Sequence, residues 1–127
     1  MVSDRAFKIT GIDLSGYMVK DAPRAIAFYR DVLGLEPTSE YPGGMGAEYE
    51  FPDGSTFGLW HGGDDMPWQR GNGLLFAVDD LGAAVAAVKA AGCKIEMEYE
   101  SPICFMAMTE DSEGNQLILH KRKPAQA

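Results

Sequence analysis

The chain has 127 residues, of which 46% are hydrophobic and 24% are charged, and its net charge is −8. These values are typical of one globular domain and exclude a disordered, collagen-like or coiled-coil protein. Because so acidic a chain repels phosphate backbones, and because no apolar run is long enough to span a bilayer, we expect binding to neither nucleic acid nor membrane.

The first half of the chain has the pattern β-α-β-β-β. The apolar run 12–19 predicts a strand, Asp21 is a suitable helix N-cap, and apolar residues at helical spacing continue to Gly34. Turn signals at Pro42-Gly43-Gly44 and Pro52-Asp53-Gly54 separate the strands that follow. These three predicted strands are 35–41, 46–51 and 56–61.

The second half repeats this order at an offset of about 60 residues. Its first strand is predicted at 73–78, Asp79 or Asp80 caps the helix, and Gly92 follows the helix. Its other strands are predicted at 94–100, 103–109 and 115–120. The repeat predicts an α+β fold of two modules, 8–61 and 72–122, joined by the linker 62–71.

Each helix must bury its apolar stripe on its own sheet, which leaves the other sheet face open and concave. Two such faces placed opposite one another would enclose a cup. The sequence leaves open whether the two faces come from one chain or from two.

Three segments of the sequence resemble the vicinal oxygen chelate superfamily, which includes glyoxalase I, extradiol dioxygenases, fosfomycin-resistance enzymes and bleomycin-resistance proteins. The run 19–35 resembles its opening helix, and 78–92 resembles the start of its second module. Asp111-Ser112-Glu113-Gly114-Asn115 resembles its Asp-Pro-Asp-Gly-Asn turn, with Ser in place of Pro. The resemblance covers about residues 8–122 and implies paired modules around a small molecule, often in a homodimer.

In the catalytic members of this superfamily, the first and last strands of each module bind a divalent metal. The resemblance places the four ligand positions on residues without donor atoms, which are Leu14, Gly58, Gly73 and Ile118. We therefore expect neither a metal nor another cofactor. An unusual site built from His120 with Glu48 or Glu50 remains an alternative.

Strand alternation predicts which side chains face the cup instead. In the last strand, Leu117 and Leu119 should pack on the helix, which turns His120 towards the cup. An aromatic ring, flexible thioethers and carboxylates suit an apolar, aromatic or cationic ligand. The predicted ligand-binding residues are Trp60, His120, Met18, Glu48, Glu50, Met106 and Met108.

Each of these residues also has a purely structural interpretation. Trp60 and the methionines can be core residues, Glu48 and Glu50 can be solvated charges, and His120 can be an exposed strand end. In the linker, Trp68 can cover the cup, pack across a dimer or fill the core, and His61 is expected to face solvent.

The segment Met1–Arg5 lacks the apolar core of a signal peptide, which predicts a cytoplasmic location. Cys93 and Cys104 are then expected to be reduced structural thiols, with Cys104 opposite Tyr99 in a hairpin.

The sequence therefore favours a metal-free, homodimeric small-molecule binding protein similar to the bleomycin-resistance proteins. The alternative is an enzyme of the same superfamily, a glyoxalase-like lyase or isomerase or a dioxygenase, with His120 and Glu48 or Glu50 as its only plausible general-base pair. No catalytic residue can be assigned. A third possibility is a partner-binding module whose cup is filled by its own side chains.

Overall fold

The computed structural model describes residues 6–124, and within them two modules with the same element order follow one another. Met1–Arg5, on which the prediction of a cytoplasmic location rests, lies outside this range. The first module consists of β1 (Ser15–Met18), α1 (Ala22–Asp31), β2 (Ser39–Glu40), β3 (Gly46–Glu50) and β4 (Thr56–Trp60). The second consists of β5 (Leu75–Ala77), α2 (Leu81–Ala90), β6 (Met97–Glu100), β7 (Cys104–Glu110) and β8 (Gln116–Arg122). The predicted α+β fold is confirmed.

Aspartate caps start both helices at the same point of the repeat. The Asp21 carboxylate accepts the Arg24 N–H at 3.0 Å, and the Asp80 carboxylate accepts the Ala83 N–H at 3.0 Å. Each cap satisfies one of the N–H groups that a helix start leaves without a partner. Asp80, rather than Asp79, is therefore the cap of α2.

The strands form two separate four-stranded sheets, in the orders β1-β4-β3-β2 and β5-β8-β7-β6. β1 pairs with β4, and β5 with β8, in parallel. The other neighbouring strands are antiparallel. Four strands are shorter than predicted by three residues or more: β1, β2, β5 and β6. In β1, for example, pairing begins only at Ser15, opposite Phe57, and not at residue 12.

The prediction for Cys104 was wrong by two residues. Tyr99 lies opposite Met106, and Cys104 lies opposite Arg122 on β8. The Ser101 N–H donates to the Cys104 carbonyl at 2.9 Å and closes the turn, in which three residues separate β6 from β7.

The two modules share a core through their helix-covered faces. Phe76 of β5 lies 4.8 Å from Phe57 and 6.2 Å from Tyr29 between ring centroids, and Phe28 and Leu33 pack against both core clusters. Leu117 and Leu119 are fully buried beneath α2, as predicted. Because the covered faces meet each other, the open faces of the two sheets lie on the outside of the chain.

The segment that resembles the superfamily's turn joins the two modules. The buried Glu113 carboxylate accepts the backbone N–H groups of Lys20 and Asp21 at 2.8 and 2.9 Å, and the Arg24 Nε–H at 2.7 Å. The Asn115 side-chain amide donates to the Met18 carbonyl at 2.9 Å. The turn therefore holds the second module against the start of α1.

Neither helix in residues 6–124 has the length and apolar character needed to cross a membrane.

Candidate functional site

Four of the predicted ligand-binding residues share the open face of the first sheet. Met18 lies opposite Trp60 on β1 and β4, while Glu48 and Glu50 of β3 lie opposite Gly58 and Thr56. Met18, Glu48 and Trp60 are half-buried and Glu50 is exposed. We call the surface formed by these four residues, with Leu14, Tyr41 and Gly58, the first cup face.

Three side chains converge over Gly58 on this face. A Cβ atom at position 58 would lie 2.9 Å from Leu14 Cδ1, 3.6 Å from the Tyr41 hydroxyl and 3.7 Å from Trp60 Cε3. The space next to a superfamily ligand position is therefore already filled by protein atoms. A larger residue at 58 would have to displace Leu14.

Tyr41 is a residue of this face that sequence reasoning missed. Its hydroxyl donates to Glu48 Oε2 at 2.7 Å. Burial, reinforced by this hydrogen bond and by the carboxylate charge, raises the pKa of Tyr41 to about 12. The phenol therefore stays protonated and holds the Glu48 carboxylate in one orientation. Its position directly before the turn Pro42-Gly43-Gly44 was the only signal in the sequence.

The other three predicted residues share the open face of the second sheet. His120 of β8 lies opposite Met106, and Met108 lies opposite Ile118. We call the surface formed by these residues, with Leu75, Met97 and Tyr99, the second cup face.

Met97 and Tyr99 were also missed by the sequence analysis. They lie opposite Met108 and Met106, which places both side chains on the second cup face. Their alternation with Glu96, Glu98 and Glu100 along the strand was a signal that could have found them.

Large apolar side chains on both cup faces are uncovered. On the second face Met97 is 52% exposed, Tyr99 51% and Leu75 41%; on the first face Leu14 is 37% exposed. Three clefts along residues 6–124 are lined by other residues, and neither Trp60 nor His120 is among them. Each face therefore resembles half of a site.

One chain does not bring His120 next to Glu48 or Glu50, because these residues lie on the open faces of different sheets. Within the described range, no three His, Cys, Asp or Glu side chains lie close enough together to hold a metal ion. Leu14 and Gly58 offer no donor, Gly73 lies in the segment before β5, and Ile118 is buried. The residues present do not fit the superfamily's divalent metal.

Trp68 packs against the turn that joins the modules. Its ring faces Lys20 Nζ at 4.1 Å from the centroid, and its edge lies 3.7 Å from where a Cβ at Gly114 would be. Of the three alternatives for this residue, filling the structure within its own chain is the one that these contacts favour. His61 is half-buried and its Nδ1 accepts the Gly63 N–H at 3.1 Å, so its side chain does not simply face solvent.

Both cysteines are free thiols. Burial raises the pKa of Cys93, which lowers its thiolate fraction and hence its reactivity. Cys104 is buried, and its Sγ lies 3.2 Å from the Ser101 hydroxyl.

Residues 11–119 match the family model described as the Glyoxalase/Bleomycin resistance protein/Dioxygenase superfamily. A search of curated protein sequences gave no match. Among solved structures, the chain is similar to TnmS3, an antibiotic binding protein from Streptomyces sp. CB03234, with a TM-score of 0.74 and 24% identity over 92% of this chain and 99% of that chain.

A glyoxalase/bleomycin resistance protein from the same Streptomyces strain is 26% identical over 84% of this chain and 96% of that chain, with a TM-score of 0.69. A lactoylglutathione lyase from Agrobacterium tumefaciens is 20% identical over 90% of this chain and 95% of that chain, with a TM-score of 0.68. The similar folds thus include one protein described as a binding protein and one described as an enzyme.

Proposed function

Because the chain belongs to the glyoxalase/bleomycin resistance protein/dioxygenase superfamily, we propose that it binds an apolar, aromatic or cationic small molecule, without a metal, in a cup formed between two copies of the chain. The observation that carries this proposal is the space over Gly58. Where a metal ligand would project, Leu14, Tyr41 and Trp60 form an apolar and aromatic surface instead.

A homodimer would complete the cup. The first and second cup faces lie on separate sheets, and each leaves large apolar side chains uncovered. A two-fold axis that placed the first face of one copy over the second face of the other would bury these side chains and form two identical cups. Dimerisation would thereby supply the second wall that each face lacks.

The chemistry of the two faces favours the proposed class of ligand. Trp60 offers a ring on which a planar group or a cation can stack. Met106 and Met108 adapt to irregular apolar shapes. Glu48, held by the Tyr41 hydroxyl in a half-buried position, favours a positively charged group near Trp60 because a desolvated carboxylate gains from a cationic partner.

The similarity to an antibiotic binding protein is in keeping with ligand binding as the function, although at 24% identity it establishes only the fold.

We further propose a cytoplasmic location. The free thiols of Cys93 and Cys104 are compatible with a reducing compartment.

A second candidate is an enzyme with an atypical site, and it is favoured by the position of Glu48 and His120 on the open faces of different sheets. In the proposed dimer, Glu48 from one copy and His120 from the other would share one cup, which would bring a carboxylate and an imidazole together for acid–base chemistry. Turnover of a glutathione hemithioacetal or a catechol, abolished by His120→Ala, would support this alternative over simple binding.

The test is a thermal-shift screen of aromatic and cationic compounds, followed by calorimetric titration of the hits. A ligand of the folded protein should raise the melting temperature with increasing concentration. Trp60→Ala should weaken binding about tenfold or more, because it removes the stacking surface.

Glu48→Gln should weaken a cationic hit but not its neutral analogue. Glu50→Gln is the matched control, because Glu50 lies on the same strand and face but is exposed and lacks the tyrosine partner; it should bind like the wild type. A ligand whose affinity is unchanged by Trp60→Ala would place binding outside the cup and refute the proposal.

A further inference from the structure

Glu48 differs from the other acidic side chains of the described chain. Of the Asp and Glu residues between 6 and 124, only Glu48, Asp111 and Glu113 are not exposed. Both carboxylate oxygens of Asp111, and both of Glu113, accept hydrogen bonds from protein groups. Glu48 accepts the Tyr41 hydroxyl at Oε2, and no group within residues 6–124 donates to its Oε1. Glu48 is therefore the half-buried carboxylate that keeps one oxygen for a donor from outside this range.

The first sheet supplies no cation to this carboxylate. Strands β1 to β4 contain no Lys or Arg, and no ion pair within residues 6–124 involves Glu48. Three cationic side chains lie between residues 15 and 61, and each contacts another side chain instead; they are Lys20, Arg24 and Arg30. A carboxylate that is partly removed from water and lacks a cation favours a ligand that brings one.

The stacking surface of Trp60 and the open carboxylate lie side by side. The Tyr41 hydroxyl and Trp60 Cε3 lie 3.6 and 3.7 Å from one point, the place of a Cβ at Gly58. Glu48 lies directly opposite Gly58 on β3, and its Oε2 is 2.7 Å from the Tyr41 hydroxyl. A planar ring that packs on Trp60 can therefore place a short substituent next to the Glu48 carboxylate.

Tyr41 determines which kind of cation fits this carboxylate. Burial, with the bond to Glu48, raises the pKa of Tyr41 to about 12, so the hydroxyl remains the donor to Oε2 and leaves Oε1 as the acceptor. A cation that carries an N–H group can donate to Oε1, and such a charge-assisted bond is roughly twice as strong as a neutral one. A quaternary ammonium has the charge but no donor, so it gains only attraction to the carboxylate and to the Trp60 ring.

We propose that the first cup face selects a planar aromatic molecule with a protonated amine, amidine or guanidine group, whose ring packs on Trp60 and whose N–H donates to Glu48 Oε1. Tyr41 is a positioning residue, which holds the carboxylate for this bond. The inference rests on the proposed function and narrows its ligand to one class. It ranks quaternary ammonium compounds below N–H cations, and it ranks anions last because the first sheet offers them no Lys or Arg.

The first experiment compares four probes with one ring system: 1-naphthylmethylamine, its N,N,N-trimethyl derivative, 1-naphthalenemethanol and 1-naphthylacetate. Nitrogen-15 NMR titration of the full chain at about pH 7, where the amine is protonated and the acid ionised, follows the Trp60 indole N–H, assigned by its loss in Trp60→Phe. The amine should bind at least about tenfold more tightly than the alcohol and about threefold more tightly than the trimethyl derivative, and the acetate should bind most weakly. Equal affinities of the amine and its trimethyl derivative, or no shift of the Trp60 signal with any probe, overturn the inference.

The second experiment repeats these titrations with variants of the pair. Glu48→Gln should abolish the preference for the amine over the alcohol, because the amide oxygen accepts the Tyr41 hydroxyl and its NH₂ group then faces the probe. Tyr41→Phe keeps the ring and should lower the preference about threefold, because a carboxylate that is no longer held loses rotamer freedom when it binds. Neither change should alter the dissociation constant of the alcohol more than about twofold, a separation that general damage to the fold would not produce.

Matched controls remove the same groups from the other face of the first sheet. Glu40 lies opposite Ala47, whose side chain is in the core, and the Tyr49 hydroxyl is buried without a partner among the described residues. Glu40→Gln and Tyr49→Phe should therefore keep the wild-type preference for the amine. A wild-type preference in Glu48→Gln, or an equal loss in Glu40→Gln, overturns the inference.

The two proposals fail in different ways. An affinity of the amine probe that Trp60→Ala leaves unchanged contradicts both the cup and its selectivity. Probes that need Trp60 but bind equally with every head group contradict only the selectivity. If Glu48→Gln raises the dissociation constant of the dimer in sedimentation velocity without any probe, a cation of the second copy already pairs with Glu48; this result overturns the inference and leaves the two-copy cup intact.

Discussion

Residues 51–55 and residues 111–115 occupy the same place in the two modules, between the third and fourth strands, and their backbones are nearly identical. Gly54 and Gly114 both have φ of 89°, and equivalent N–H···O bonds of 2.9 and 3.0 Å close the two turns. We call them the first and second closing turns. Their side chains nevertheless do different things. The first turn bonds to itself in solvent, whereas the second is buried and joins the modules.

Side-chain length and the opposing surface explain the difference. Glu113 has one more methylene than Asp53, which lets its carboxylate reach the start of α1 and Arg24. The matching surface at the start of α2 carries Asp79 and Asp80 and has Ala83 in place of Arg24, so an approaching carboxylate would meet negative charge without a cation. The two modules thus share the backbone conformation of this turn, but the side chains determine whether the turn connects one module to the other.

The pKa values of Asp111 and Glu113, the two acids of the second closing turn, are shifted in opposite directions. Burial raises the pKa of Asp111 and outweighs the bonds from the Tyr29 hydroxyl and two backbone N–H groups. Burial also acts to raise the pKa of Glu113, but the bonds from Arg24, the backbone N–H groups and Ser112 outweigh it, and the pKa is lowered. The joint therefore depends on an ionised Glu113.

The largest effect that tests this comparison is expected from Glu113→Ala. The substitution leaves two backbone N–H groups and Arg24 without their acceptor, and it should lower the free energy of unfolding by about 3 kcal/mol; the figure is below that for a fully buried pair because Arg24 is half exposed. Asp53→Ala is the matched control and should cost clearly less than Glu113→Ala, because its bonds are exposed to solvent. Urea denaturation of both variants provides the measurement. Equal losses would show that the two turns are equivalent after all.

Much of the fold could be predicted from local signals. Asp21 and Asp80 as caps, the glycine turns and the repeat defined both modules, and alternation placed Leu117 and Leu119 inside. These features depend on residues close in sequence, or on the alternation of inward and outward side chains along a strand. Such patterns can be recognised in a single sequence.

The joint and the outward-facing cup faces could not be predicted in the same way. A glutamate between Ser112 and Gly114 is typical of an exposed turn, and its burial depends on Arg24 and the start of α1, which lie about ninety residues away. Tyr41 was missed for a different reason: Glu48 is only seven residues away, but the contact depends on how β2 pairs with β3 across the turn at 42–44. Neither a contact between distant segments nor the register of a strand pair leaves a pattern in the neighbouring residues.

A smaller effect is expected from two buried tyrosines. The Tyr29 hydroxyl donates to Asp111 Oδ2 at 2.7 Å, whereas the buried Tyr49 hydroxyl has no partner among the described residues. Tyr29→Phe should cost about 1.5 kcal/mol, because it removes a hydrogen bond to a buried carboxylate. Tyr49→Phe should change the free energy of unfolding by less than about 0.5 kcal/mol, because no bond is lost. Urea denaturation of both variants measures these changes. A large loss of stability for Tyr49→Phe would reveal a hydrogen-bond partner for the Tyr49 hydroxyl.

The smallest effect concerns pH, and its sign separates the two acids of the second closing turn. Because the folded-state pKa of Glu113 is lowered, the stability that its charge contributes is present above its unfolded pKa of about 4.3 and is lost as pH falls through the folded value. The stability advantage of wild type over Glu113→Gln should therefore shrink on acidification. Asp111 has a raised pKa, so the folded state holds its proton more tightly, and the advantage over Asp111→Asn should shrink as pH rises from about 3.9 through the folded value.

Asp53 supplies the control from the first closing turn. Bonds from the Ser55 hydroxyl and backbone N–H lower its pKa, so Asp53→Asn should follow the sign of Glu113→Gln. Its change should be the weaker one, because both of its bonds are exposed to solvent and are screened. Urea denaturation of the three variants and wild type between about pH 3 and pH 6 brackets the unfolded pKa values of the carboxyl groups. If the stability differences of Glu113→Gln and Asp111→Asn from wild type changed with pH in the same direction, the two pKa values would not be shifted in opposite directions. The explanation by burial for Asp111 and by hydrogen bonding for Glu113 would then be wrong.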